Sequence, residues 1–268
     1  MKTMRAVALV FLAAVLAASM AANWIAPASY ARQFRDQPDA APSAQHLLGT
    51  DDLGRDRFSR LLYGTRISLL LAPAAALMST VLAGAIGGAA GFAGGWIEVC
   101  VMAGTDLFLS LPWLFLLITV RACLPLNVSP VVSVAITFVL LGCLGWAAAA
   151  RVVCADVRSF RNSDFVLLAR SSGSGGARLL MWHLVPNLAP VLAAQFWISI
   201  PVFILTEANL GILGLGVAEP LSSWGSLLRE LESFSVYSAQ PWLFAPLLLL
   251  VLTVSSFQIV LHNEEVAG

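Results

Sequence analysis

Long stretches of this chain carry no formal charge, and that governs what it can fold into. Aspartate, glutamate, lysine and arginine are absent from 6–31, 67–97, 122–150, 179–206 and 233–263. Each window exceeds the roughly 20 residues that an α-helix needs to cross about 30 Å of hydrocarbon. A sixth apolar stretch, Val99 to Val120, holds one acid, Asp106. Six candidate spans follow, near 7–25, 67–92, 99–120, 128–150, 184–205 and 242–261. In lipid every backbone N–H and C=O must be satisfied internally, and the runs lack the alternation of barrel strands. The expected fold class is therefore an all-α integral membrane protein with about six transmembrane helices. Only 11% of the residues are charged, against about a quarter in soluble domains. So few charges could not cover a water-facing surface of this length.

Composition narrows function as well. Net charge is +0 and no basic block interrupts the sequence, so no nucleic-acid partner is expected. Lys2 is the only lysine. A Walker A loop needs a lysine in a glycine-rich turn, and Lys2 has no such setting, so the chain is not expected to hydrolyse ATP by itself. Schiff-base chemistry is excluded on the same ground. Cys100, Cys123, Cys143 and Cys154 lie in or beside apolar stretches without a Cys-x-x-Cys, which points to small buried packing rather than disulfides or zinc. His46, His183 and His262 are far apart in sequence and accompany neither Gly-x-Ser-x-Gly nor His-Glu-x-x-His. The expectation is a non-catalytic chain with no metal site and no cofactor.

Details within the spans qualify this picture. Lys2 and Arg5, an apolar run and Ser19-Met20-Ala21 also fit a cleaved secretory signal. The run continues through Trp24 and Ile25, which favours a retained first helix with an interfacial aromatic. On the second span Gly84/Gly88, Gly87/Gly91 and Gly91/Gly95 are small-xxx-small pairs that let backbones approach closely. Pro186, Pro190 and Pro201 are expected to kink the fifth. Asp106 and Glu207 are acids in apolar surroundings. Such residues are costly and face protein or water, so both are candidates for the path of a cargo, with helix packing as the competing role. The arginines are spread over both sets of loops and give no orientation by the positive-inside rule.

Three hydrophilic segments separate the spans: Ala28 to Arg66, Arg151 to Arg178, and Glu207 to Gln240. The first contains Gly49-Thr50-Asp51-Asp52-Leu53-Gly54-Arg55-Asp56, then Phe58-Ser59-Arg60-Leu61-Leu62-Tyr63-Gly64-Thr65-Arg66. Its acids lack the alternating oxygen ligands of a calcium loop. Local ion pairs at the membrane surface are the simplest reading, with contact to a partner as the alternative. Further on come Gly94-Gly95-Trp96, Ser110-Leu111-Pro112, Ala150-Arg151, Asp164-Phe165-Val166 and His183-Leu184-Val185-Pro186-Asn187. Glu207-Ala208, Leu213-Gly214-Leu215-Gly216 and Ser223-Trp224-Gly225 close the series. In this order, over roughly 45–260, the set resembles the permease subunits of dipeptide, oligopeptide and nickel ABC importers.

The resemblance implies a type I importer permease in the bacterial inner membrane. Residues 1–66 form a first helix and extracytoplasmic segment, and 67–268 a five-helix core with a cytoplasmic coupling loop over about 151–183. The implied partners are a second permease subunit, two cytoplasmic ATP-binding subunits, an extracytoplasmic substrate-binding protein and membrane lipid. Asp51, Asp52, Arg55 and Asp56 become candidates for contact with the binding protein or for a structural role. Asp164, Phe165, Leu168, Ala169, Arg170 and Gly173 become candidates for coupling to the ATPase. At the family's Glu-Ala-Ala triplet this chain has Leu167-Leu168-Ala169, so the alanine and the later glycine match and the glutamate does not. The tail after Phe257 also departs from the family. The implied cargo is a peptide, with nickel or a nickel chelate as the alternative. A secondary carrier using Asp106 or Glu207, and an intramembrane hydrolase using His183, are the other classes. Transport that survives without ATPases, or peptide cleavage by the purified chain, would mark those.

Overall fold

The apolar windows become helices because lipid leaves the backbone no other way to satisfy itself. The structure is a computed structural model that describes residues 2–125, 128–161, 163, 185–232 and 241–265. Its helices are α1 (Lys2–Met20), α2 (Ala22–Ile25), α3 (Arg57–Ala93), α4 (Gly95–Ser110) and α5 (Trp113–Cys123). They continue with α6 (Pro130–Leu144), α7 (Trp146–Arg161), α8 (Val185–Ile212), α9 (Trp224–Leu228) and α10 (Ala245–Glu265). Two 3-10 turns, Arg229–Glu232 and Pro241–Phe244, flank the segment before α10. Among the described residues there is no strand, only isolated bridges pairing Gln33 with Arg55 and Thr50 with Asp56.

Among the described residues five helical stretches are long and apolar enough to cross a membrane, and a bent pair makes up to six. The stretch expected as the third span is α4 followed by α5, turned through 84°. Leu111 between them is extended (φ −78°, ψ 132°), as a residue before proline prefers, and Pro112 lacks the N–H to continue the ladder. By contrast α3 runs through Pro73, and α8 runs through Pro190 and Pro201, without a break. The cysteine expectation holds only for Cys154, which is buried; Cys100, Cys123 and Cys143 are free and exposed. In a membrane chain an apolar side chain need not turn inward to leave water.

The chain divides into two compact units. One comprises Met1–Ala72, Val120–Phe138 and Pro201–Gly268, and within it α1 packs along α10. The other comprises Pro73–Thr119 and Val139–Ile200. Its core gathers Val153, Val157 and Leu188 with Phe92, Phe160, Val191 and Leu192 around them. In this second unit α4 and α7 pack together. Arg158 Nη1 lies 3.1 Å from Glu98 Oε1, and Arg151 Nη1 lies 2.8 Å from Asp106 Oδ1. Numbering rises along one helix as it falls along the other, so the two run antiparallel. About two turns separate the pairs on each helix, which places both acids on one face of α4 and both arginines on one face of α7.

The glycines of α3 act at different contacts. A Cβ on Gly87 would meet the carbonyl oxygen of Ala150 in α7, and one on Gly91 would meet Cys154 and Val157. Gly88 has open space beside it. Alanine is intrinsically the better helix former by about 0.5–1 kcal/mol, so Gly88→Ala is expected to leave stability unchanged or raise it. Gly87→Ala must push one backbone from another and should cost about 1–3 kcal/mol, the usual scale of overpacking. Thermal unfolding of the two purified variants in detergent checks this. Equal melting temperatures would refute the contact.

Candidate functional site

Two hydrophilic segments distant in sequence meet at the start of α3. Asp56 caps that helix: its Oδ1 accepts from the Ser59 backbone N–H and from Ser59 Oγ, each at 2.7 Å. This satisfies a donor that a helix N-terminus otherwise leaves open. Its other oxygen lies 2.8 Å from His46 Nδ1. Gly54 takes φ 73°, and a Cβ there would strike the Phe34 carbonyl, so this turn requires glycine.

Asp51 is the hub. Oδ1 accepts the backbone N–H of Leu53 at 3.0 Å and of Arg55 at 2.7 Å. Oδ2 accepts Arg55 Nε and Arg60 Nη1, both at 2.6 Å. Those guanidiniums reach across to the segment after α8. Arg55 Nη1 lies 2.7 Å from Glu219 Oε2, and Arg60 Nη1 lies 2.8 Å from Glu230 Oε1. Arg57 Nε adds a bond of 3.1 Å to Glu230. Asp51, Arg55 and Arg60 are buried, whereas Glu219 is more than half exposed. Burial works against the Arg55 charge, but the hydrogen bonds from Glu219 and Asp51 outweigh it and raise its pKa. The Arg55 guanidinium in turn holds the Glu219 carboxyl below its ordinary range. Burial pushes the Glu230 carboxyl up, against the pull of Arg60 and Arg57.

Below this cluster the Ser-Trp-Gly motif locks the same segment onto α3 and α8. Trp224 is fully buried, its Nε1 donating to Thr65 Oγ1 at 2.8 Å and its backbone N–H to Ser68 Oγ at 3.3 Å. Ser68 Oγ donates to Glu207 Oε2 at 3.2 Å, and Glu207 is wholly enclosed. Gly225 lies against Gly211, where a Cβ on either would collide with the other backbone. Ser223 caps α9 through a reciprocal pair with Ser226. A further link comes from Arg121, whose Nη2 donates to Ser133 Oγ at 3.1 Å, while that hydroxyl donates to the Gly216 carbonyl at 3.2 Å.

The structure thus joins Asp51 and Arg55 in one network, sets Asp56 beside it as the cap of α3 paired with His46, and leaves Asp52 exposed. Glu207 lies among packed groups, and Asp106 is ion-paired with Arg151, both about half exposed. Asp164, Phe165, Leu168, Ala169, Arg170 and Gly173 lie outside the described residues. Sequence reasoning missed Glu219 and Glu230, the long-range partners of the arginines. The available signal was an excess of arginine between 55 and 60 and two acids in a later glycine- and proline-rich loop.

The sequence finds matches among known proteins. Residues 80–264 match the family described as the binding-protein-dependent transport system inner membrane component. The chain belongs to that family: it is a permease subunit of an ABC importer, a multi-pass protein of the bacterial inner membrane. The dipeptide transport system permease protein DppC of Bacillus subtilis (strain 168) is 32% identical over 238 residues, which cover 88% of this chain and 72% of that one. The oligopeptide transport system permease protein OppC of the same organism is 35% identical over 224 residues, 83% of this chain and 70% of that one. The nickel transport system permease protein NikC of Escherichia coli (strain K12) is 33% identical over 255 residues, 94% of this chain and 89% of that one.

Removing the hub should be severe. Asp51→Asn leaves two buried guanidiniums without their shared charge, a class of change that costs about 3–5 kcal/mol. Loss of a cooperative melting transition, or a fall in monodisperse yield on size exclusion, is the expected result. Acid should act through Glu219. Its folded-state pKa is depressed, so its contribution is present above the ordinary carboxyl value of about 4.3 and is lost as pH falls through the lower folded value. The melting-temperature difference between the parent chain and Glu219→Gln should be constant from neutral pH down to that range and shrink below it. A difference that grows on acidification would contradict the assignment.

Proposed function

We propose that the chain is the membrane subunit of a peptide importer, carrying out no chemistry and converting closure of partner ATPases into alternating access. In this reading it pairs with a second permease subunit, two cytoplasmic ATP-binding subunits and an extracytoplasmic binding protein that delivers cargo. The observation that carries it is the family match joined to relatives named for dipeptide and oligopeptide transport. A nickel cargo is the second reading, favoured by the relative named for nickel transport. The absence of any lysine beyond Lys2 supports a chain that relies on partners for ATP hydrolysis.

The ion cluster supports an orientation as well. It ties the segment before α3 to the segment after α8, so both lie on one side of the membrane. We take that side as extracytoplasmic, with the 1–66 segment and the cluster facing the binding protein, and the loop after α7 as cytoplasmic. Asp52, exposed beside the buried hub, is then available to a partner, while Asp51, Arg55 and Asp56 hold the surface in shape. Phe165, Leu168 and Ala169 would form the apolar ridge of a coupling helix, with Asp164 and Arg170 near its edges and Gly173 at its end.

Uptake of labelled dipeptide and of nickel should be measured in a strain lacking this subunit and in the same strain carrying the full chain. Loss and restoration of dipeptide uptake is expected; loss of nickel uptake alone overturns the peptide reading. Reporter fusions at Ser43, Ser171 and Ser233 should report outside, inside and outside. Gly173→Val should abolish transport while the chain still inserts and ATP hydrolysis by the partner subunits becomes uncoupled from transport. Parental transport by that variant would remove the loop from the coupling role.

A further inference from the structure

Of the four arginines between 55 and 66, three are ion-paired: Arg55, Arg57 and Arg60. Arg66 has no hydrogen-bond or ion-pair partner among the described residues. It lines a cavity of about 330 Å³ formed by α3, the segment after α2 and the segment before α9. Ser222 lines the same cavity, and its Oγ is fully buried with no partner. Arg66 is only partly buried, so its guanidinium is the charged group that an anion entering this cavity would meet. Tyr30 and Tyr63 form a wall, their rings edge to face at 5.0 Å, and Tyr63 is fixed by donating to Asn23 Oδ1 at 3.0 Å.

The composition of the wall changes along α3. Tyr63, Arg66, Ile67, Leu70 and Leu71 follow the i, i+3, i+4, i+7, i+8 spacing of one helix face. Polar groups stand at the end nearest the ion cluster, and aliphatic ones follow where the charge-free window begins at Ile67. Arg66 and the two tyrosines therefore sit at the membrane–water boundary, where aromatic belts lie, with the aliphatic groups below in hydrocarbon. The cavity is too small to receive a helix of about 10 Å diameter. It falls at the low end of ligand pockets, which span about 300–1,000 Å³, and suits a headgroup rather than a whole amphiphile.

We propose that this is a binding site for an anionic phospholipid. The phosphate ester accepts hydrogen bonds from the Arg66 guanidinium, the glycerol lies against Tyr30 and Tyr63, and one acyl chain follows Ile67, Leu70 and Leu71. Free inorganic phosphate shares the headgroup chemistry but gains nothing from the aliphatic stripe. The site is independent of cargo, because its readout is retained lipid and not uptake.

The test uses the full chain purified from membranes and placed in phosphatidylcholine nanodiscs containing a minor fraction of phosphatidylglycerol. Native mass spectrometry then counts lipid retained on release. The parent chain should retain phosphatidylglycerol over phosphatidylcholine. Arg66→Gln should lower that retention roughly tenfold, the scale of one lost charge-assisted hydrogen bond. Arg66→Lys should keep part of it, because a point charge still attracts phosphate. Leu70→Asn, which sets an amide in the exposed aliphatic stripe, should also lower it, so the proposal stands testable even if Arg66→Gln fails to fold. Inorganic phosphate should not displace the lipid. Parental retention by folded Arg66→Gln or by Leu70→Asn overturns the site, and displacement by inorganic phosphate overturns its assignment to lipid.

Discussion

The carboxylate of Asp51 holds two guanidiniums, from Arg55 and Arg60, each at 2.6 Å, where water hardly reaches. Desolvating three charges is expensive, and attraction repays it only when geometry is tight and the remaining donors are satisfied. Here they largely are: the outer faces of the same guanidiniums meet Glu219 and Glu230. The start of α3 depends on this arrangement, since Asp56 caps the helix from within the same turn. So does the placement of the 213–232 segment, which brings Trp224 to Thr65 and the Gly225 backbone to Gly211. With both ends of the segment anchored, Arg66 and Ser222 are left facing one cavity.

The two compact units are held by different physics. The first uses buried ions and a tryptophan in its polar layer, where residues outside hydrocarbon need directional partners. The second relies on small residues, Gly87 and Gly91 on α3 against Ala150 and Cys154 on α7, where close backbone approach maximises dispersion contacts between helices. This fits a membrane protein, because burying apolar surface gains nothing when the alternative is lipid.

Much of this was legible in the sequence. Charge-free windows locate the helices because hydrocarbon penalises charge wherever it appears. The turn at Leu111-Pro112 was visible only as a motif, since an apolar run of that length reads equally as one straight span or a broken one. Asp51, Arg55 and Asp56 stood out as a dense charge cluster, yet their partners did not, because Glu219 lies 164 residues beyond Arg55 and local spacing says nothing about it. Asp106 read as a lone membrane acid; Arg151 neutralises it from another helix. Arg66 and Ser222 carried no signal at all, as an unpaired donor becomes apparent only when every neighbour is placed.

The charge ladder between α4 and α7 also bears on how the chain is made. Both acids belong to the earlier helix and both arginines to the later one, so neither helix is electrically neutral when it leaves the ribosome. Arg158 is added 60 residues after Glu98, roughly 3–12 s later at about 5–20 residues per second. Through that interval α4 carries two acids without their arginine partners. The two helices are thus complementary in charge, and α4 gains its ion pairs only once α7 has been made.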